Sequence, residues 1–230
     1  MSIKNNLNPY FVSWSGGKDS CLALYRAIKK YGKADCLLNM LIENGLRSRS
    51  HGISKAVLEK QANLLGIPIY FYATSWSDYE AIFIAALQDF KEQGIKIGVF
   101  GDLKIDNDVK WQTHRQWADS VCEKSGLSAY EPLWDDPVEI LLQEFFSARF
   151  VAKIISVKAS LLSKDYLGKI LDKELIMEFK HKGIDPAGEK GEYHTIVIDG
   201  PIFSEPLILQ EGERVLKDNY WFLDLSVSPC

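Results

Sequence analysis

From residue 10 to residue 126, short apolar runs alternate with amphipathic stretches. Residues 10–14 (YFVSW), 36–42 (CLLNMLI), 67–73 (IPIYFYA) and 95–100 (IKIGVF) are rich in aliphatic and aromatic side chains and read as strands. The stretches between them repeat at three- to four-residue spacing, as in Leu22, Ala23, Arg26 and Ala27. They predict helices over 19–30, 54–65, 78–93 and 109–124, with Gly32, Gly66, Gly94 and Gly126 just past their ends. Near-continuous apolar strands separated by helices predict a parallel sheet covered on both faces, an α/β fold. Such sheets bind ligands beyond the carboxyl ends of their strands, near the point where the strand order reverses. The loops after Trp14, Ile42, Ala73 and Phe100 are therefore where chemistry is expected.

Beyond residue 131 the alternation loosens. Helices are expected over 137–146 and 169–182, and strands over 149–157 (RFVAKIISV), 194–198 and 206–209. Pro137 suits the first turn of its helix. The chain thus divides into a parallel-sheet domain over 1–131 and a smaller α+β domain over 132–230, the change falling near Pro132-Leu133-Trp134. There is no internal repeat, low-complexity tract or flexible linker.

Composition narrows the class. With 230 residues, 47% of them apolar, the chain can bury roughly 75% of its unfolded surface. Lys and Arg total 27 against 31 Asp and Glu, a net charge of -4 with no basic block. Nucleic acid and anionic lipid are poor partners for such a chain. No apolar run approaches the ~18 residues that a membrane span needs, and the start of the chain has no secretory pattern, so a cytoplasmic location is expected. Cys21, Cys36, Cys122 and Cys230 lie far apart without a CxxC pair, which argues against a disulfide scaffold and a local zinc or iron–sulfur motif.

The most informative stretch joins the first strand to the first helix: Ser13-Trp14-Ser15-Gly16-Gly17-Lys18-Asp19-Ser20. Gly16 and Gly17 permit backbone conformations and close approaches that side chains forbid. The helix that follows offers free N–H groups and the positive end of its dipole. Lys18 adds a cation, and Ser15 and Ser20 add hydroxyls, so the loop suits a polyphosphate such as that of ATP. Asp19 alone would repel phosphate; Mg²⁺ reverses the local sign and gives it a role. A P-loop would need Gly at position 12 and Ser or Thr at 19, where Val12 and Asp19 stand. No two glycines are separated by a single residue, and neither GxSxG nor HExxH occurs. The plain alternative is a glycine-rich turn capped by Ser or Asp, and the complete SGGKDS string weighs against it.

That string resembles the PP-loop of the N-type ATP pyrophosphatase superfamily, whose members share a parallel adenine-nucleotide-hydrolase-like (HUP) sheet and split ATP into AMP and pyrophosphate. The likeness continues through His51-Gly52, Gln61-Ala62, Leu65-Gly66-Ile67-Pro68, Phe100-Gly101-Asp102, Pro132-Leu133-Trp134 and Leu167-Gly168. It ends in Gly188-Glu189-Lys190-Gly191-Glu192-Tyr193-His194-Thr195 and Asp199-Gly200-Pro201-Ile202-Phe203. Taken together these strings resemble the diphthine–ammonia ligase family; SGGKDS marks only the superfamily, and the late glycine-flanked string marks the branch. This chain departs from the family pattern at His194, where eukaryotic and archaeal members carry an acidic residue, and at Ala187, where many relatives carry Cys. The resemblance implies an AMP-forming ligase using ATP, ammonia and a carboxylate acceptor, which in the family is diphthine on a protein. The two departures leave the acceptor open, and a homo-oligomer is compatible with everything above.

Other candidates each have a plain reading. Asp102 closes the fourth strand and could bind Mg²⁺ or orient the acceptor, or simply cap a turn. Asp106 and Asp108 read as solvated. Arg47, Ser48, Arg49, Ser50 and His51, after the second strand, could contact phosphates or an anionic acceptor, or lie in a solvated loop. Trp111, His114, Arg115, Ala118 and Cys122 share one helix face; such a face could line an acceptor cleft, though packing is the commoner reason. Glu189, Glu192 and His194 cluster in a glycine-flanked loop, where Glu192 or His194 could serve as general base or position the acceptor, or merely face water. His181, Asp185 and His194 are a weak metal signal.

The expected reaction is attack of a carboxylate on the α-phosphorus of Mg-ATP, with Ser15, Gly16, Gly17, Lys18, Asp19 and Ser20 receiving the pyrophosphate, followed by ammonia attack on the adenylate. Lys18, Asp102, Glu192 and His194 are the expected catalytic residues, Asp19 and Asp102 the metal carboxylates, and Glu189, Glu192 and His194 the acceptor side. The rival readings are another PP-loop adenylating enzyme that modifies tRNA, and a nucleotide-binding regulatory module without turnover. An acidic chain without CxxC or a basic appendage argues against the first.

Overall fold

The computed structural model describes residues 8–104 and 109–228, with side chains for all of these but 109–112. In chain order its elements begin with β1 (Tyr10–Ser13), α1 (Lys18–Tyr31), β2 (Cys36–Leu41), α2 (Lys55–Leu65) and β3 (Ile69–Ala73). Then come α3 (Tyr79–Glu92), β4 (Ile97–Val99), α4 (Val109–Lys124), β5 (Ser128–Tyr130) and α5 (Val138–Ser147). β6 (Val151–Lys158), α6 (Lys173–His181), β7 (Tyr193–Asp199), β8 (Leu209–Lys217) and β9 (Tyr220–Val227) complete the series.

The chain forms two compact units. The first takes the segment ending at Trp14 together with Asp19–Gly45 and Ile67–Asp135; the second takes Ser15–Lys18, Leu46–Gly66 and the segment from Asp136 onward.

The first unit is built on an all-parallel sheet of order β3-β2-β1-β4-β5. β1 is central, and the order reverses between β1 and β4, so the loops after these two strands flank the switch point. One face of the sheet is closed by α3 and α4 around Phe11, whose ring lies 5.4 Å from Phe90, 6.0 Å from Phe100 and 6.5 Å from Phe83. Ala118 and Cys122, from the helix face noted in the sequence, belong to this core. Cys21, Cys36 and Cys122 are free and buried. Burial pushes the Cys36 and Cys122 thiols up to about 12, with nearby carboxylates adding to it, so these are packing groups and not nucleophiles.

The second unit is α+β: an antiparallel sheet of order β7-β6-β9-β8, with α2, α5 and α6. Its core includes Phe145, Phe179, Tyr193, Leu223 and Leu225. Three boundaries differ from the sequence expectation here. The strand expected over 206–209 is absent; β8 starts only at Leu209 and pairs with β9 through a turn at Asp218 and Asn219, both with positive φ (49° and 65°). The helix expected from 169 starts at Lys173, because the backbone of 169–171 bonds to β6 (Ile154 N–H to the Lys169 carbonyl, Leu171 N–H to the Ala152 carbonyl) and the Asp172 side chain caps Leu175 N–H at 2.8 Å. β6 starts at Val151, since Arg149 takes a left-handed turn at φ 64°. Among the described residues no helix is long and apolar enough to cross a membrane.

Candidate active site

The glycine pair after β1 is fixed by contacts within the second unit. Gly16 takes φ +79°, and a β-carbon there would fall 2.7 Å from Gln61 Oε1 and 2.9 Å from Leu58 Cδ2. Its carbonyl accepts from Val197 N–H at 2.9 Å and from Gln61 Nε2 at 3.1 Å; the same Gln61 amide donates to the Val197 carbonyl at 2.8 Å. Gln61 is completely buried on α2, and it ties the loop to β7. A β-carbon on Gly17 would come within 2.7 Å of His51 Cε1 and 3.1 Å of the Thr195 carbonyl. Lys18 N–H, at the start of α1, donates to Thr195 Oγ1 at 3.1 Å, and Gly17 N–H to Ser15 Oγ at 3.3 Å.

Lys18 is 6% exposed. Its ammonium donates to the Ala187 carbonyl and lies 3.7 Å from Glu189 Oε1, which is itself largely buried. The phosphate-loop cation and the late glycine-flanked loop are therefore one construction. That turn is internally braced. Tyr193 hydroxyl donates to the Pro186 carbonyl at 2.6 Å, and Asp185 Oδ1 accepts from Ala187 N–H at 2.8 Å. Buried Glu192 accepts from Asp185 N–H at 3.3 Å on one oxygen and from Lys190 N–H at 2.9 Å on the other. Each of its carboxylate oxygens thus holds a backbone amide of the turn.

His194 enters from β7 and stacks on His51, ring centroids 4.6 Å apart at 27°. Burial, then the Lys18 ammonium, pushes His194 down to about 4. Burial, then His194 and Lys18, pushes His51 down as well, against an opposing hydrogen bond to the Thr195 backbone. Both rings are neutral at pH 7. A histidine in the unfolded chain titrates near ~6.5, so between that value and about 4 the unfolded state binds the His194 proton and the folded state does not. Stability is then lost as pH falls through this window. We expect urea unfolding midpoints at pH 5 to lie below those at pH 7, and His194→Gln to reduce the difference, His51 keeping its share; an unchanged slope in that variant would show that His194 does not contribute to it.

In the first unit, Gly101 follows β4, and a β-carbon there would fall 2.9 Å from the Asp19 carbonyl carbon and Ser20 nitrogen. The strand end thus packs against the first turn of α1. Asp102 follows. Burial raises its carboxyl above the usual range and the Asp19 charge adds to this, while His114, 3.9 Å away, opposes them. Glu131, directly after β5, is pushed up to about 7 by burial, with Asp102, Asp119 and Asp135 adding and Arg115 opposing.

The structure therefore gathers Lys18, Glu189, Glu192 and His194 with Gly16 and Gly17 in the second unit, and Asp19 with Asp102 in the first. Arg47 lies elsewhere: it pairs with Asp224 at 2.6 Å and donates to the Gly52 carbonyl at 3.0 Å. Ser48 is buried and accepts from Ile53 N–H. Asp106, Asp108 and the Trp111 side chain lie outside the described residues. Among the described residues no group of three or more His, Cys, Asp or Glu side chains is arranged to hold a metal ion. Gln61, Thr195 and Glu131 had no role assigned from sequence. Gln61 and Thr195 stand within the family-like strings, but their contacts span 45 and 177 residues and no local pattern encodes them.

An SGGKDS loop after the central strand of a β3-β2-β1-β4-β5 parallel sheet defines a PP-loop protein of HUP-like fold. Comparison with known proteins sharpens this. The diphthamide synthase N-terminal domain model matches residues 10–129 and the C-terminal domain model residues 136–227; the chain belongs to the diphthamide synthase family. The diphthine–ammonia ligase of Homo sapiens is 28% identical over 230 residues, covering 88% of this chain and 83% of that protein. That of Danio rerio is 27% identical, covering 89% and 88%. That of Schizosaccharomyces pombe, a longer protein, is 27% identical, covering 94% of this chain and 38% of its own length. A solved structure described as a predicted subunit of tRNA methyltransferase from Methanocaldococcus jannaschii aligns over 83% of this chain and 96% of that one, at 16% identity and a TM-score of 0.43; nothing about function follows from it.

Proposed function

We propose that this chain is an ATP-dependent ligase that activates a carboxylate as its adenylate and passes the acyl group to ammonia. The observation that carries this is the buried Lys18 ammonium at the head of α1, beside two glycines whose β-carbons would obstruct the loop. It is supported by family membership and by relatives named for the joining of diphthine and ammonia.

In this reading the β- and γ-phosphates of ATP lie along Ser15, Gly16, Gly17, Lys18, Asp19 and Ser20. An acceptor carboxylate oxygen attacks the α-phosphorus, the bond to the bridging oxygen breaks, and pyrophosphate leaves with its new charge facing the loop N–H groups and Lys18. Glu189, now beside Lys18, gives up that contact to phosphate. Asp19 and Asp102 suit Mg²⁺, which binds one or two carboxylates together with substrate phosphates. When bound, Mg²⁺ would neutralise phosphate charge. Ammonia then attacks the acyl carbon and AMP departs. Neutral His194 offers a lone pair to the attacking nitrogen's N–H. Glu192, with both oxygens on backbone amides, holds the turn that carries Glu189 and His194.

Because the C–O bond of the adenylate breaks on the acyl side, one carboxylate oxygen must end in AMP. With an ¹⁸O-labelled diphthine acceptor, mass spectrometry should find one labelled oxygen in AMP; unlabelled AMP would exclude attack by the carboxylate.

A further inference from the structure

At the carboxyl edge of the first unit's sheet, α4 and the end of β5 bring together Arg115, Glu131 and Trp134. Glu131 has a side chain only 4% exposed; one oxygen lies 3.2 Å from Arg115 Nε, and the other, Oε1, is buried with no hydrogen-bond partner among the described residues. The Arg115 guanidinium also lies over the buried Trp134 ring, 5.2 Å from its centroid. A guanidinium with a buried carboxylate 3.2 Å from its Nε and an indole against one face is restricted on two sides. Yet the Arg115 side chain is 44% exposed, and its Nη1 and Nη2 make no hydrogen bond to the described residues. An ordinary surface ion pair does not require a carboxylate to be buried beside a strand end, because two exposed partners achieve it without desolvation. Orientation of the guanidinium does require it.

The ligand class follows from shape and charge. A fixed guanidinium edge matches a planar carboxylate through two parallel hydrogen bonds. Asp102, Asp119 and Asp135 surround Glu131 electrostatically; they repel a polyphosphate but tolerate one carboxylate, above all one that carries a cation beside it. A carboxylate next to a quaternary ammonium, the head group of diphthine, has that character, and cations of this kind also favour aromatic and acidic surroundings.

We propose that Arg115 binds the acceptor carboxylate through Nη1 and Nη2, with Glu131 and Trp134 as its positioning residues. The inference rests on the ligase reading above and adds the residue that selects the acceptor. Amide formation removes the carboxylate's charge, so the product loses the contact that held the substrate, and release is favoured.

The test uses the full chain, with free diphthine, its carboxamide diphthamide, and ATP as separate probes in calorimetry. The native protein should bind diphthine about tenfold or more tighter than diphthamide, the usual scale for a charge-assisted pair. Arg115→Ala should weaken diphthine by about the same factor and leave diphthamide unchanged, so that the preference disappears, with ATP affinity within about threefold. Arg115→Lys, which keeps the charge but not the fork, should recover only part of the preference. Loss of ATP affinity with diphthine unaffected would assign Arg115 to phosphate and overturn the proposal. It would fall equally if the native protein showed no preference, or if Arg115→Ala retained it. Absence of ammonia-dependent AMP formation in the native protein would instead sink the ligase reading, and that assay is independent of this binding ratio.

Discussion

Lys18→Met should lower pyrophosphate release by about 10²–10³-fold, the usual loss when one preorganised donor to a developing charge is removed. Methionine is close in length and fills the buried space without the ammonium. Position and burial explain the size of the effect. At 6% exposure the ammonium is shielded from water, so its attraction for phosphate is far less screened than that of a surface lysine. The substitution also leaves Glu189 without its counter-ion and the Ala187 carbonyl without its donor, so the variant's fold should be verified by circular dichroism first. Lys18→Arg keeps the charge but must fit a larger head group between the Ala187 carbonyl and the Tyr193 ring, whose centroid lies 5.8 Å from the Lys18 ammonium, and should recover little. Pyrophosphate release in Lys18→Met within about threefold of the native rate, which is under ~0.7 kcal/mol of barrier, would remove Lys18 from the chemistry.

Gly17→Val should abolish ATP binding, a loss of about 10²-fold or more in affinity. The first added carbon already meets His51 Cε1 at 2.7 Å and the Thr195 carbonyl at 3.1 Å. Backbone carbonyls give way less readily than side chains, so the strain moves into the loop that must wrap the phosphates. Gly17→Ala should show a smaller loss in the same direction, because it adds one carbon instead of three. Gly17 does not take a positive φ, so the requirement is closeness of approach and not backbone conformation; Gly16, at φ +79°, has both constraints. Calorimetry on folded Gly17→Val that returned native ATP affinity would rule out the loop as the phosphate site.

Much of the first unit was legible because its strands are nearly all apolar and its helices end at glycine. α4 lies over Val109–Lys124, the span its spacing predicts. The β8–β9 hairpin was not legible for a physical reason. β8 is an edge strand exposed along almost its whole length, so no buried face imposes an alternation on QEGERVLK. Its strongest sequence signal was the Asp218-Asn219 pair, two residues that tolerate the left-handed conformation a tight hairpin turn needs. β5 was missed because three residues are too few to show a period.

The site divides in the same way. SGGKDS announced a phosphate loop because its chemistry is contiguous. The seating of Lys18 against Ala187 and Glu189, the Thr195 hydroxyl on Lys18 N–H, and the His51–His194 stack join residues far apart in the chain, and only folding brings them together. The sequence did group Glu189, Glu192 and His194 in one glycine-flanked stretch leading into a strand. It could not tell that Glu192 braces the turn while His194 lies against His51, because the difference is one of hydrogen-bond partners and not of residue type.

The central claim is that ATP is cleaved between its α- and β-phosphates. Incubation with ATP, Mg²⁺, ammonium and diphthine, followed by ion-exchange chromatography, tests it directly. The account requires AMP and pyrophosphate in equal amounts, dependent on both ammonium and Mg²⁺; ADP and orthophosphate in their place would contradict it.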